Sequence, residues 1–275
     1  MPEGDSVWRV ARRLDARLSG LTLSASDFRV PQHATADLSG RRVLDTVSRG
    51  KHLLTRVAGD VTLHTHLRMD GEWTVLRPGK HLPARLRPDV RVRLDTSDGQ
   101  TAYALRMPVV ELVRTSREHE VVGHLGPDLL GEDWDAAEAV RRLSADPDRP
   151  LAAALLDQRN LAGIGNLWAN ELCFLRGRSP WTPVRDVDLP PLVDLAHRLL
   201  RFSVSGALTG RRTAQVTTGD PRPGRDHWVA GRAGRPCLRC GTVVRVVAEV
   251  PGDAERRRTW WCPRCQPGPS PGNVP

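Results

Sequence analysis

Cys237-Leu-Arg-Cys240 and Cys262-Pro-Arg-Cys265 are separated by 21 residues, with Arg256, Arg257 and Arg258 between them. Two Cys-x2-Cys knuckles joined by a hairpin-length insert match a four-thiolate tetrahedral zinc site, and a short module with little apolar content needs such a metal to fold. The spacing predicts a zinc ribbon over 223–266, with one structural zinc ion per chain held by Cys237, Cys240, Cys262 and Cys265. The rival is a pair of disulfides. It is disfavoured because no signal-peptide pattern opens the chain and Cys173 is a further cysteine, both of which suit a reducing compartment. The arginines precede Cys262 by four to six residues, where the hairpin should turn, so the tip offers positive charge to an anion.

Composition indicates which anion. The 275 residues carry 41 Lys+Arg against 32 Asp+Glu, a formal charge of +9, and the stretch from 223 to 275 holds nine Arg against four acidic residues. Such a balance points to nucleic acid. No apolar run approaches the ~18 residues of a membrane span, so a cytoplasmic, nucleoid-associated monomer is expected, with no membrane partner. Only Lys51 and Lys80 are lysines, which raises the question of what arginine cannot do at those places.

The expected fold class is α+β multidomain. Asp5 or Ser6 can cap a first helix whose apolar residues Val7, Val10, Leu14 and Leu18 recur at helical spacing, with Gly20 ending it. From about Val43 to Thr115 the pattern becomes that of strands: Val61–His66 and Val90–Leu94 alternate, and Ser97-Asp98-Gly99 reads as a hairpin turn. An antiparallel β-sandwich flanked by helix is therefore expected over 1–130. Helices over Leu151 to Gln158, Asn166 to Leu175 and Leu189 to Val204 predict a helical domain over 131–222. A Gly, Thr and Arg-rich loop, Thr209 to Arg225, leads into the ribbon, and 267–275 is rich enough in Pro and Gly to be a disordered tail.

Two further motifs carry chemistry. In Asn160-Leu-Ala-Gly163-Ile164-Gly165-Asn166, paired glycines allow a tight turn between two helices, and Asn166 can cap the second while its N-terminus holds a phosphate. By itself this reads as a plain helix-turn-helix corner. The chain opens Met1-Pro2-Glu3-Gly4-Asp5. Removal of Met1 leaves Pro2 as a free secondary amine, whose ordinary pKa of about 7.7–8.0 gives a neutral fraction near pH 7 that the positive end of the first helix increases. Such an amine can attack a sugar carbon and form a cationic iminium, and Glu3 beside it can move protons. Alone, Met-Pro is a common start and Glu3 a first-turn acid.

Together and in this order the three motifs resemble the formamidopyrimidine-DNA glycosylase and endonuclease VIII family of base-excision repair enzymes, over residues 1 to about 266. The resemblance implies an N-terminal β-sandwich bearing the catalytic amine, a helix-two-turn-helix domain and a zinc ribbon, with damaged DNA, double- or single-stranded, in the cleft between the halves. It makes Pro2 the nucleophile and Glu3 its acid/base partner. Lys51, in Ser48-Arg-Gly-Lys51-His, resembles the lysine on a strand turn that contacts the reacting nucleotide, a place for a compact ammonium that can give up a proton. Arg257 resembles the finger arginine on the phosphates flanking the lesion, with Arg258 as the register alternative, and Asn166 the phosphate-binding turn residue. Met69, in His66-Leu-Arg-Met69-Asp-Gly71, resembles the tip that fills the hole left by the flipped nucleotide. His64 and His66, alternating on one strand face, are assigned no metal, and Cys173 is read as core.

The chain departs from the family pattern where Pro-Glu-x-Pro-Glu is common: Asp5 and Ser6 replace the second early glutamate. The Arg and Phe inserted into the opposite strand in one branch are also missing, since the segment reads Tyr103-Ala-Leu-Arg-Met-Pro-Val109. With Gly4, this leans toward the endonuclease VIII branch and oxidised pyrimidines. The reading that follows is a bifunctional glycosylase and abasic-site lyase acting by β- then δ-elimination. Its alternatives are an enzyme that mainly cleaves pre-formed abasic sites and a catalytically silent zinc-ribbon protein that binds DNA.

Overall fold

The computed structural model describes residues 2–208, 215–248 and 257–271. Met1, residues 209–214 of the Gly, Thr and Arg-rich loop, residues 249–256 with Arg256 of the arginine triplet, and the last four residues of the Pro/Gly-rich tail lie outside them. The chain divides into two compact units, Met1–His124 and Leu125–Pro275.

The first unit opens with α1 (Gly4–Leu18). Val7, Ala11, Leu14 and Leu18 are buried at the spacing that puts one face of a helix against a core. Neither Asp5 nor Ser6 caps it. The N-cap is Glu3, without a side-chain cap bond, and Asp5 is drawn inside the first turn, where its carboxylate accepts from the Ser6 N–H (2.8 Å) and Arg9 (3.3 Å). Gly20, at φ +84°, follows the helix in the left-handed region.

Eight strands follow: β1 (Leu23–Phe28), β2 (Val43–Arg49), β3 (His52–Val57), β4 (Val61–His66), β5 (Glu72–Leu76), β6 (Val90–Thr96), β7 (Thr101–Leu105) and β8 (Val109–Val113). They form two antiparallel four-stranded sheets, ordered β1-β6-β7-β5 and β2-β3-β4-β8. Leu53, Val57 and Leu63 from one sheet, Val92, Leu94, Ala102 and Trp73 from the other, and the buried face of α1 share one core. Between β6 and β7 the expected turn forms, with Thr96 N–H donating to Gln100 O (3.0 Å) and Gly99 at φ +82°. A short helix, α2 (His119–Val122), precedes the unit's end.

The second unit holds α3 (Ala136–Leu143), α4 (Leu151–Leu156), α5 (Asn166–Leu175) and α6 (Leu189–Leu208), then the two-stranded ribbon of β9 (Arg245–Val247) and β10 (Thr259–Trp261). Helix α4 stops before Gln158. Freed from the helix, the Gln158 carboxamide clamps the following turn, accepting from Gly163 N–H (3.1 Å) and donating to Ile164 O (2.8 Å). Gly163 sits at φ +102°, where a side chain would be strained. The N-cap of α5 is Gly165, not Asn166; Asn166 is the first helical residue, its side chain committed elsewhere. The Ser179 hydroxyl donates to Pro269 O, so the described start of the Pro/Gly-rich tail is held. Among the described residues no helix is long and apolar enough to cross a membrane.

Candidate active site and metal centre

In the first unit, Pro2 and Glu3 lead into α1, which packs on β2 and β3. Pro2 is half-buried, whereas Glu3 is fully buried as the N-cap, its carbonyl accepting from Val7 N–H (2.9 Å). A carboxylate at the positive end of a helix is electrostatically favoured. Lys51 occupies a two-residue hairpin, Gly50-Lys51, set by the Arg49↔His52 pairing of β2 and β3. Gly50, at φ +56°, supplies the positive φ that such a turn requires. The tip of the hairpin is thus a lysine on a short, well-defined backbone.

Met69 lies on the turn joining β4 to β5, which belong to different sheets. Gly71 N–H closes this turn on Leu67 O (2.8 Å), and a Cβ at Gly71 would meet that oxygen at 2.6 Å. Only glycine allows the approach. The methionine is 62% exposed, an unusual position for a long apolar side chain and one that leaves it available to another surface.

Around these two turns the sheet gathers histidines. His64 Nδ1 lies 2.8 Å from Glu111 Oε2, directly opposite on β8, and its Nε2 lies 2.8 Å from His52 Nδ1. His66 approaches His52 edge-on at 4.8 Å, and His124 lies 6.0 Å from it. Burial, then the neighbouring His66, pushes the His52 pKa down to about 3; burial, then Arg68 and Lys51, pushes His66 down to about 4. Sequence periodicity places His64 and His66 on one face, but it carries no signal for His52 or Glu111, which only strand register brings there.

In the second unit the four knuckle cysteines converge, their sulfurs all within 4.8 Å of one another. Cys240 and Cys262 are 3.4 Å apart and Cys237 and Cys265 4.0 Å, far beyond a disulfide's ~2.05 Å and close to the ~3.8 Å edge of a tetrahedron with metal–sulfur bonds of ~2.3 Å. Thiols so close compete for charge. Hydrogen bonds from Thr242 hold Cys240 down to about 6, while burial pushes Cys262 and Cys265 up. A divalent cation removes this conflict, so the four residues suit a metal ion.

The finger and the two-glycine turn meet at α5. Asn166 Nδ2 donates to Arg258 O (2.8 Å), and Trp260 N–H donates to Asn170 Oδ1 (2.8 Å). Arg257 is half-buried and Arg258 exposed, immediately before β10. Next to Asn170 on the helix, the fully buried Glu171 accepts from the N–H groups of Trp228 (2.9 Å), Val229 (2.8 Å) and Ala230 (2.9 Å), and from the Thr217 hydroxyl. One carboxylate thereby stitches the entry to the ribbon onto α5. A glutamate inside an apolar helix was the available signal for this clamp, but its partners lie more than 40 residues away.

The sequence profile described as formamidopyrimidine-DNA glycosylase N-terminal domain matches residues 1–105. A protein of Streptomyces coelicolor named probable endonuclease 8 2 is 54% identical over 272 residues, 98% of this chain and 96% of that protein. The chain belongs to the formamidopyrimidine-DNA glycosylase and endonuclease VIII family. Within it, a protein of Mycolicibacterium smegmatis named DNA-(apurinic or apyrimidinic site) lyase Nei2 is 45% identical, covering 97% of this chain and 99% of that one. These relatives place the chain on the endonuclease VIII branch, as its early residues and its Tyr103–Val109 segment indicate. The fold is shared with Lactococcus lactis Fpg (MutM), solved in complex with DNA containing N7-benzyl-Fapy-dG, at TM-score 0.78 and 24% identity over 97% of this chain and all of that one.

Proposed function

We propose that this chain is a bifunctional DNA glycosylase and abasic-site lyase of base excision repair, acting on oxidised bases, pyrimidines foremost. Damaged DNA is the partner, and Met69 fills the space vacated when the lesion is flipped out of the stack. The Pro2 amine, freed by loss of Met1, attacks C1′ as the glycosidic bond breaks and the base departs with a proton delivered by way of Glu3. The amine then loses its proton, and its lone pair expels O4′, which is protonated as the C1′–O4′ bond breaks and the sugar ring opens to an iminium; this iminium draws electrons from C2′ as that carbon loses its proton. The 3′ phosphate leaves first and the 5′ phosphate second. Lys51 serves as a point charge and proton donor at the reacting nucleotide, while Arg257, with Arg258 and Asn166 nearby, holds flanking phosphates. Zinc on Cys237, Cys240, Cys262 and Cys265 completes a structural site, since four thiolates leave no position open for substrate.

The observation that supports this reading most is the pairing of Pro2 with a fully buried Glu3 at the head of α1 in a chain with relatives named endonuclease 8 and abasic-site lyase. A second reading, mainly abasic-site cleavage with weak base excision, is favoured by the lyase name of the 45% identical relative and by Asp5-Ser6 in place of the family's second glutamate. One experiment tests both. Borohydride should trap the native chain on an abasic-site oligonucleotide through its N-terminal residue, and an N-terminal extension, which turns the amine into an amide, should abolish trapping while DNA binding persists. Trapping by the extended protein would move the nucleophile elsewhere, with Lys51 the first suspect. A panel of oxidised bases separates the two readings, because only the first predicts excision at a rate comparable to abasic cleavage.

A further inference from the structure

The outer side of the β2-β3-β4-β8 sheet carries an unusual polar chain. Strand register pairs His64 with Glu111 and His52 with His66, so all four side chains share the face opposite Leu53 and Leu63, which lie in the core. His64 is only 3% exposed there. Their proton positions follow from elementary donor and acceptor rules. An ionised carboxylate only accepts, so the 2.8 Å contact requires His64 Nδ1–H to donate to Glu111. With His64 neutral its lone pair is on Nε2, and the 2.8 Å contact to His52 has His52 Nδ1–H donating, so the chain runs from His52 to His64 to Glu111; with His64 an imidazolium, Nε2–H donates to His52 Nδ1 instead. In either state the contact selects a single tautomer of His52. On the neighbouring ring, His66 Nδ1 accepts from Arg68 N–H (3.0 Å) at the start of the turn bearing Met69.

We propose that Glu111 and His64 fix the ring and tautomer of His52, and that His52 is thereby a positioning residue for Lys51. This rests on the lyase reading above, in which the Lys51 ammonium acts at the reacting nucleotide. His52 is the first ladder residue after a hairpin that has only Gly50 and Lys51 outside the pairing, so a locked His52 limits where the Lys51 backbone can go. A long, flexible lysine stem gains most from a fixed origin. The chain also occupies the Glu111 carboxylate with an imidazole N–H, and the edge-on His66 joins the same cluster to the Met69 turn. The device thus sets the Lys51 turn and the Met69 turn from one scaffold.

The test uses the full chain with its native N-terminus and an abasic-site oligonucleotide, following single-turnover nicking, borohydride trapping and affinity for a non-cleavable abasic analogue. Glu111 is half exposed, which makes it a tolerant place to cut the chain. Glu111→Leu is expected to slow nicking about tenfold, the scale of one lost hydrogen bond to a charged group, with affinity within about twofold. Glu111→Gln keeps an acceptor for His64 Nδ1–H and should restore most of the rate. His52→Phe, of similar ring size, should match Glu111→Leu. Nitrogen NMR of 15N-histidine-labelled protein should show a single tautomer of His52 in the native chain and a mixture of tautomers in Glu111→Leu. An unchanged rate in both Glu111→Leu and His52→Phe, or a Gln variant as slow as the Leu variant, overturns the positioning role. A native protein that binds DNA but never traps overturns the lyase reading instead, and the NMR experiment still decides whether the chain fixes the tautomer.

Discussion

His52, His64, His66 and His124 in the N-terminal unit and Cys237, Cys240, Cys262 and Cys265 in the C-terminal unit are two gatherings of side chains that commonly bind metals, and they are satisfied in opposite ways. His52, His64 and His66 sit on a sheet whose register is set by a large apolar core, where the Glu111 carboxylate lies against His64 and the Arg68 N–H donates to His66. The thiols sit in a ribbon of two three-residue strands, in a small cluster with Phe174, Val229 and Val244 and the partly buried Leu175, Trp228 and Trp260. A core can fix polar side chains without a metal. A module with only a small cluster needs the metal to supply what apolar area does not.

The largest effect expected from this contrast is that of metal removal. A strong chelator under reducing conditions should unfold the ribbon, since structural zinc contributes ~10–16 kcal/mol in small zinc modules, while the β-sheet signal of the N-terminal unit persists. Elemental analysis should give one zinc per chain, and Cys237→Ser should mimic chelation. A metal-free protein with an intact near-ultraviolet spectrum from Trp260 and Trp261 would erase the distinction between the two clusters.

Next in size is the clamp that ties the ribbon's entry to α5. Glu171→Ala leaves three backbone N–H groups without their acceptor and should destabilise the C-terminal unit by about 3–5 kcal/mol, read as a lower melting temperature for that unit. Glu171→Gln, which keeps one oxygen, should cost less. Equal melting of all three proteins would mean that the metal alone organises the module.

Acid should act on the other cluster. His52 and His66 have folded-state pKa values of about 3 and 4, below the ordinary 6.5, so between these limits the unfolded chain binds protons that the folded chain refuses. Stability is therefore complete above pH 6.5 and falls as pH drops toward 4, by about 1.4 kcal/mol per pH unit for each histidine. His52→Phe should flatten that slope by about half in thermal melts of the N-terminal unit between pH 7 and pH 5. An unaltered slope would locate the proton uptake elsewhere.

The smallest effect concerns the finger. Arg257→Ala should weaken binding to all DNA sequences alike and lower the salt slope of affinity by about one unit, the signature of a single phosphate contact. If only Arg258→Ala does so, the register shifts by one residue, and the Asn166 bond to the Arg258 carbonyl acquires a direct part in presenting the contact.

How much of this could be read in advance depended on the range of the interactions. The first helix and the strand at Val90–Thr96 follow from local periodicity, because one buried face imposes its repeat on the sequence, whereas the strand at Val61–His66 is buried on both faces and α5 nearly all round. The four cysteines were legible for the same reason, since knuckle geometry requires a two-residue spacing. Caps were less legible. Asp5 and Ser6 suit an N-cap by residue type, yet the cap falls two or three residues earlier, on Glu3, and the Asn166 amide goes to Arg258 in place of its own helix end.

Spacing along the chain was enough to determine the cysteine tetrad, the order of sheet, helix and ribbon segments, the basic finger and the proline-glutamate start. These are features in which chemistry and residue separation are one statement. Only the tertiary structure decided that His52, His64 and Glu111 form a hydrogen-bonded chain, that Gln158 clamps the two-glycine turn, and that Glu171 collects three distant N–H groups. The first depends on strand register and the last on contacts between residues remote in sequence, while the Gln158 clamp, though it spans only five or six residues, depends on the helix ending before Gln158. A single histidine, glutamine or glutamate carries the same letters whether it is buried in such a network or loose in water, and burial is settled only when the whole core has closed.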